Sequence, residues 1–345
     1  MKRKLVYIGF AFEHHKGTHA GYHQIRDYVN YEYHIDCEYF ANNFYRGAET
    51  PFERISMRLC NKLFGVNIFP WHILKCILLG LIHNNLTFHF IYGENSYMDF
   101  SRFIRKGNKI VCTFHQPFQW FQSTLWLERL KTIDRVILVG NAEINEFEDV
   151  VGKGKVSFIP HGIRTDFYHP DTSIKKEHML LTVGNWLRDY DFANKVYQRL
   201  LQDDEQLRIV VVAMPSMTQT LQSHPRLKCM TGITDEQLRD LYRHCSVLFL
   251  PLKRYTANNS LLEAAACGCN IIIASDYQDN SYIPSCFLSL CMMDENEAIN
   301  VVTNALRSPD YRAINLTSYI DDNYSWNYIG NNIEEFLRTK RQVNK

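Results

Sequence analysis

Residues 247–275 constrain the fold of this chain more than any other stretch. They read VLFLPLKRYTANNSLLEAAACGCNIIIAS: an apolar run stops at Pro251, a basic loop follows, and a short helical pattern leads through Cys267-Gly268-Cys269 into a second apolar run. A strand, a helix and a second strand in this order predict a parallel β-α-β unit. In open α/β sheets, ligands bind beyond the carboxyl ends of the strands, where a helix N-terminus attracts anions. The segment therefore predicts a site for a phosphate-bearing ligand.

Length and charge limit the classes of protein to consider. With 345 residues, 46% hydrophobic and 22% charged, the chain can bury a core, and we expect two domains of roughly 150–180 residues. The net charge of +1 creates no overall field that would recruit nucleic acid, so DNA or RNA is not an expected partner.

The sequence also predicts a compartment. The ten cysteines form no repeated Cys-x-x-Cys pair, and the N-terminus MKRKLVYIGF passes directly into a strand pattern without a cleavage site. The apolar run at residues 73–82 is about half as long as a membrane span and contains Lys75. We therefore expect a reduced, cytoplasmic chain without a signal peptide or transmembrane segment.

Buried strand patterns alternate with helical patterns in both halves, which predicts an α/β fold with two doubly wound domains. The predicted strands are residues 5–10, 88–92, 109–114, 135–139 and 156–159 in the first half, and 179–183, 208–213, 227–230, 247–250 and 270–274 in the second. Two prolines and a glycine in IPHGIRTDFYHP break every periodicity and predict a hinge. The expected domains are residues 1–165 and 166–325, followed by a C-terminal segment, 326–345, whose helix packs back on the first domain.

The order of motifs resembles that of the GT-B glycosyltransferases, specifically the retaining nucleotide-sugar transferases of glycosyltransferase family 4. IPHGIRTDFYHPD is similar to the family's linker, LLTVGNWLRDYDF to its donor loop, MTGITDEQLRDLYRHCSVLFLP to the segment after it, and LLEAAACGCNIIIAS to its "LEAmAcG.PVvas" signature. The resemblance covers nearly the whole second half in order. In the first half it depends on GTHAGYHQI and CTFHQP.

The resemblance implies two Rossmann-like domains that face each other across a cleft and a sugar transfer from a nucleotide sugar to a glycan or lipid-linked hydroxyl, with retention and without a metal or other cofactor. Two alternatives stay open. One is a non-catalytic module that binds a nucleotide sugar or glycan, and the other is a sugar-nucleotide epimerase of the GT-B fold, which would need acidic groups that the sequence does not identify.

A nucleotide sugar presents a diphosphate that leaves with growing negative charge, so its site needs fixed positive potential. Arg188, Lys253 and Arg254 lie in loops after predicted strands and are the candidates. The alternative is that these three are ordinary solvated residues of the protein surface without a ligand. The acidic pairs Asp203-Asp204 and Asp321-Asp322 fall in expected loops away from the site, which fits a reaction without metal.

The helix after residue 257 carries the strongest predicted ligand contacts. Glu263 matches the family glutamate that binds the ribose hydroxyls, although an acidic residue near a helix N-terminus also suits the helix dipole. Tyr255 stands where the family usually has a second, sugar-facing glutamate, which weakens any inference about the sugar and the mechanism. The expected neighbours of the diphosphate are the first residues of the helix, where capping alone would explain the polar ones: Asn258, Asn259, Ser260, Leu261 and Leu262.

Further donor contacts are expected in two loops of the second half. Gly184 and Asn185 belong to the donor loop, and backbone groups near Thr231-Gly232-Ile233 are expected to contact the base.

In the first half, Gly17 and Gly21 resemble the family's glycine-rich loop, which approaches the donor phosphates, although a plain tight turn would look the same. His115 ends a predicted strand where the family commonly keeps an active-site histidine; a core histidine is the alternative. His15, His19 and His23 have a spacing that zinc ligands on a helix could share, but the glycines interrupt that helix, so we expect no metal site.

A peripheral membrane contact is predicted within residues 54–81. Arg54, Arg58 and Lys62 recur at helical spacing beside an apolar stripe, and Phe69-Pro70-Trp71 and an apolar run follow. A basic amphipathic helix can lie on an anionic leaflet, here the inner face of the membrane. An ordinary surface helix followed by a core helix fits the same pattern.

Overall fold

The computed structural model describes residues 2–37, 51, 54–55, 58, 61–62, 71–254, 258–277, 283–307 and 312–339. The chain divides into two compact units, unit 1 formed by Met1–Gly162 with Trp326–Lys345 and unit 2 formed by Ile163–Ser325. Ile163 joins unit 2 because its amide N–H donates to the carbonyl of Tyr324 and because it pairs with Ser325 in a short parallel bridge. The sequence places this boundary slightly later, after residue 165.

Each unit contains one six-stranded sheet in which all paired strands are parallel. Unit 1 has the order β2-β1-β3-β4-β5-β6, with strands β1 Lys4–Gly9, β2 Tyr33–Asp36, β3 Leu86–Phe90, β4 Lys109–Phe114, β5 Arg135–Leu138 and β6 Val156–Phe158. Unit 2 has the order β12-β11-β10-β7-β8-β9, with strands β7 Glu177–Val183, β8 Arg208–Val212, β9 Leu227–Met230, β10 Cys245–Pro251, β11 Asn270–Ala274 and β12 Leu288–Cys291.

Helices cover these sheets. Within the described residues from 71 onward they are α1 Trp71–Ile82, α2 Gly93–Ser96, α3 Thr124–Lys131, α4 Ile144–Val151, α5 Tyr190–Asp203, α6 Asp235–His244, α7 Asn259–Ala266, α8 Glu295–Arg307, α9 Arg312–Tyr324 and α10 Trp326–Arg338. In unit 2, α5 packs on α8, while α7 packs on α6 and α9. In unit 1, α10 packs on β1 and β3. Each unit is thus a Rossmann-like layer of parallel strands with helices against it, which confirms the predicted fold class.

The buried strands explain why the sequence identifies most of the sheet. The middle of β10 and β11 is fully apolar and buried, and Val247 pairs with Asn270 to start their register. One core cluster of unit 2 joins Leu180, Ile209, Phe249 and Ile272 from four neighbouring strands. Continuous apolar runs of this kind are typical of parallel strands covered on both faces.

The structure differs from the sequence-based expectations in two edge strands and in the placement of the acidic pairs. Strands β2 and β12 were not predicted, because YHID and LSLC lack a long apolar run. Asp203 ends helix α5, and Asp321-Asp322 lie inside α9 rather than in loops. The segment after Gly21 forms a 3-10 helix, Tyr22–Asp27.

Candidate functional site

The loop between β7 and α5 is bent tightly at the carboxyl edge of the unit 2 sheet. Gly184 has φ +112°, and a Cβ there would lie 2.7 Å from Nη2 of Arg188, so only glycine fits. Leu187 is left-handed with φ +56°, which is unusual for leucine. The Tyr190 hydroxyl donates to the Gly184 carbonyl at 2.6 Å, and the Met214 amide donates to Oδ1 of Asn185 at 2.6 Å. These bonds hold the predicted donor loop in one conformation.

Arg188 is the centre of this loop. Its Nε donates to the carbonyl of Val183 at 3.1 Å and its Nη1 to the carbonyl of Trp186 at 2.9 Å. Its Nη2 donates to Oδ1 of Asn258 at 3.2 Å and to Oγ of Ser260 at 2.9 Å. Burial lowers the pKa of Arg188 from its ordinary value. Within the described part of the chain no carboxylate lies within ion-pair distance of this guanidinium.

Arg188 thus connects the donor loop to the N-terminus of α7. Asn258 caps that helix: its Oδ1 accepts from the Leu261 amide at 3.3 Å and from the Ser260 hydroxyl at 2.7 Å. Its Nδ2 is buried and has no hydrogen-bond partner among the described residues. An unsatisfied buried donor costs about 1–3 kcal/mol unless a ligand or water accepts from it. The cluster therefore presents a half-buried cation and an unused, buried amide donor at the positive end of a helix.

Glu263 lies one turn further along α7 and is 5% exposed. The hydroxyl of Tyr242, from α6, donates to its Oε2 at 2.9 Å. The pKa of Glu263 is raised to about 7: burial is the main cause, the hydrogen bond from Tyr242 opposes the rise, and the nearby charge of Asp235 adds to it. The carboxyl group is therefore balanced between its two protonation states near neutral pH.

The remaining predicted donor residues of unit 2 follow β9 and β10. Lys253 forms a long ion pair with Asp189, with Nζ 3.6 Å from Oδ2, and the guanidinium of Arg254 lies over the ring of Tyr277 at 5.1 Å. Tyr255 is outside the described residues.

Three predicted base contacts and two leucines are also placed by the structure. Thr231, Gly232 and Ile233 follow β9, and Gly232 has φ +63°. The side chains of Leu261 and Leu262 are buried in the core, so a ligand at this helix end would meet only their backbone. Asn259 begins α7.

In unit 1, two glycines border the loop after β1. Gly17 has φ +72° and Gly21 has φ +99°, conformations that favour glycine. A Cβ on Gly21 would lie 2.6 Å from Nδ1 of His15 and 2.8 Å from Nδ1 of His23. The rings of these two histidines stack with centroids 6.4 Å apart. Among the described residues, no group of three or more His, Cys, Asp or Glu side chains is arranged to hold a metal ion.

His115 follows β4 and lies between two tyrosine rings, with the centroids of Tyr22 and Tyr92 at 4.7 and 4.8 Å. Its Nδ1 is 3.3 Å from Oε1 of Glu94, and the same oxygen accepts from the His115 amide at 3.2 Å. Sequence reasoning missed Glu94. It follows β3, the neighbour of β4, so the order of the strands could have indicated that the two residues meet.

Sequence reasoning also missed Tyr242 as the partner of Glu263. The signal was present, because Tyr242 lies in the segment LYRHCSVLFLP, which resembles a motif of family 4. Nothing in that motif shows which side chain the tyrosine contacts.

Comparisons with known proteins match the part of the chain that carries this site. Residues 177–283 match a family model described as glycosyl transferases group 1, and this range contains the Arg188 cluster and Glu263. No curated protein matches the chain.

Solved structures share the fold over almost the full length. Sucrose-phosphate synthase from Thermosynechococcus elongatus is 14% identical, with a TM-score of 0.67 over 97% of this chain and 98% of that chain. HepE from Anabaena, in complex with UDP and glucose, is 11% identical, with a TM-score of 0.66 over 98% and 100%. The α,α-trehalose-phosphate synthase (UDP-forming) from Burkholderia xenovorans, in complex with glucose-6-phosphate, is 11% identical, with a TM-score of 0.66 over 97% and 100%. The solved structures show that the chain has the GT-B fold, and the family model identifies a glycosyl transferases group 1 domain in unit 2, which supports a glycosyltransferase.

Proposed function

We propose that this chain moves a sugar from a nucleotide-sugar donor to a hydroxyl group of a glycan or lipid-linked acceptor, with retention at the anomeric carbon and without a metal ion. The observation that carries the proposal is the Arg188 cluster. Arg188 is a half-buried cation without a carboxylate partner among the described residues, and a diphosphate would supply both the missing charge and the acceptor for the buried Nδ2 of Asn258.

The cluster provides what the reaction needs at the leaving group. As the bond between the sugar and the phosphate breaks, negative charge grows on the diphosphate. Arg188 and the N-terminus of α7 are fixed beside each other before the donor arrives, so they stabilise that charge without reorganising. We assign supporting contacts to Lys253 and Arg254. In this assignment, cationic side chains and the helix dipole take the place of a metal ion.

Uridine is the first base to test. HepE has been solved with UDP and glucose and, separately, with UDP-glucose, at 11% identity to this chain. We assign Glu263 to the ribose, since an ionised carboxylate can accept hydrogen bonds from two adjacent hydroxyls. We assign backbone groups near Thr231-Gly232-Ile233 to the base.

Retention is compatible with a mechanism in which the acceptor hydroxyl attacks the anomeric carbon from the same face that the diphosphate leaves. This mechanism needs no protein nucleophile. Tyr255, in place of the usual sugar-facing glutamate, is the residue that favours the alternative of a binding module. In unit 1, we assign His115 to the reacting sugar and Gly17 and Gly21 to close backbone approach.

The direct test is a panel of UDP-, GDP- and ADP-sugars with glycan and lipid-linked acceptors, assayed with and without EDTA. We expect transfer from one of these donors. The anomeric configuration of the product, α or β, should match that of the donor, and the rate should be the same after EDTA treatment. Loss of activity in EDTA that returns with a divalent cation contradicts metal independence. Donor binding without transfer or hydrolysis favours a binding module instead.

We also propose a peripheral contact with the inner face of the membrane. Helix α1 exposes Trp71, Leu78, Leu81 and Ile82. Arg54, Arg58 and Lys62 are exposed as well, while Leu59 and Leu63 of the predicted stripe, and Phe69 and Pro70, lie outside the described residues. No helix in the described ranges has the length and apolar character to cross a bilayer.

Vesicle co-sedimentation tests this contact. Changing Arg54, Arg58 and Lys62 together to Glu should abolish binding to phosphatidylcholine vesicles that contain phosphatidylglycerol, because the electrostatic attraction is reversed. A matched control changes three exposed basic residues of unit 2 to Glu: Lys195, Arg208 and Lys228. Equal binding by the wild type and the first variant would end this proposal.

A further inference from the structure

Glu263 is held by a side chain with no assigned role. Tyr242 is fully buried, and its hydroxyl donates to Oε2 of Glu263 at 2.9 Å. A bond between two buried groups is not weakened by competing water. It also uses one oxygen of the carboxyl group, which leaves Oε1 as the oxygen available to a ligand.

The backbone of Tyr242 is itself fixed. Its carbonyl accepts from Nζ of Lys176 at 2.9 Å and from Sγ of Cys269 at 2.9 Å. Helix α6 begins with a capping box in which Thr234 and Gln237 satisfy each other's backbone amides. Tyr242 therefore presents its hydroxyl from a rigid support.

We propose that Tyr242 is a positioning residue for Glu263: it orients the carboxyl group so that Oε1 faces the ligand, and it favours the ionised form that accepts the ribose hydroxyls. The inference rests on the proposed function, because it concerns the ligand assigned to Glu263.

The groups near the carboxyl group of Glu263 determine in which direction its pKa changes when the hydrogen bond from Tyr242 is lost. Asp235 and Arg239 come from α6, Tyr168 from the segment before β7, and Cys267 from the end of α7, with Lys176 and Arg243 near Cys267. Burial and Asp235 raise the pKa of Glu263, whereas the hydrogen bond from Tyr242 lowers it. Loss of that bond leaves Oε2 without its donor, so the carboxyl group should hold its proton to a higher pH.

The test measures UDP binding by calorimetry from about pH 6 to about pH 9. In the wild type, affinity should rise with pH through about 7 as Glu263 ionises. In Tyr242→Phe the midpoint of this rise should move upward by roughly one pH unit, with affinity recovering at the alkaline end. A purely structural role would lower affinity equally at every pH.

Two further variants keep the test decisive. Tyr168→Phe removes another buried phenol, one without a hydrogen bond to Glu263, and should leave the midpoint unchanged. Replacing Tyr242 by 3-fluorotyrosine keeps the shape, strengthens the donor and should move the midpoint downward, which tests the idea even if Tyr242→Phe does not fold.

The outcomes separate this inference from the proposed function. If UDP binds and the midpoint is the same in the wild type, Tyr242→Phe and the fluorotyrosine variant, the positioning role is wrong and the proposed function stands. If neither UDP, GDP nor ADP binds the wild type, the proposed function fails and this inference fails with it.

Discussion

Arg188→Ala should lower kcat/KM for the nucleotide-sugar donor roughly 10- to 150-fold, because a hydrogen bond from a charged group contributes about 1.5–3 kcal/mol. The variant loses the half-buried positive charge and the link between the donor loop and Asn258. The measurement is the initial rate of transfer over a range of donor concentrations.

The controls separate charge from geometry. Arg188→Lys keeps the charge, but an ammonium group has three donors and cannot reproduce four bonds from a planar guanidinium, so its activity should fall between wild type and alanine. Arg208→Ala removes an exposed arginine that pairs with Glu177 and should leave kcat/KM unchanged. Full activity in a folded Arg188→Ala protein would remove Arg188 from the site.

Glu263→Ala should reduce kcat/KM for the donor by a similar factor, since the ribose hydroxyls lose a charged acceptor. Glu263→Gln keeps the shape of the side chain without its charge, so its kcat/KM should fall less than that of Glu263→Ala. The glutamine variant should also lose the rise in UDP affinity through pH 7. A rise that persists in Glu263→Gln would show that another group titrates.

Glu263→Gln also has an expected effect on stability. Because the pKa of Glu263 is raised from 4.5 to about 7 in the folded chain, the folded state holds a proton that the unfolded state releases. The stability linked to this proton is complete below pH 4.5 and is lost as the pH rises through about 7, a change of about 3 kcal/mol. Urea unfolding at both ends of this window should show the variant gaining stability relative to the wild type at higher pH.

Much of the fold is readable in the sequence because parallel strands are continuous apolar runs. Strands β4, β9 and β11 begin and end where their patterns predict. The edge strands β2 and β12 are short and partly polar, and their pairing depends on neighbours distant in the chain. Their absence from the prediction follows from that dependence.

The sequence indicates which residues belong to the candidate site, but it does not indicate which side chains contact each other there. The motif around Glu263 indicates a ligand residue, and the loop position of Arg188 indicates a cation. The structure adds that Arg188 contacts Asn258 and Ser260, about seventy residues later in the chain, and such pairings follow from the order of strands rather than from local pattern. Glu94 beside His115 was missed for the same reason.

Helix α10 has a consequence for how the chain is made. It belongs to unit 1, where Trp326 packs near Tyr22 and Tyr28, and Arg338 donates to the carbonyl of Asn30 at 2.8 Å. Unit 2 is a single continuous segment, so it can complete its core while the ribosome is still synthesising the last helix. Unit 1 is synthesised first, but its contacts with α10 can form only after that helix has left the ribosome.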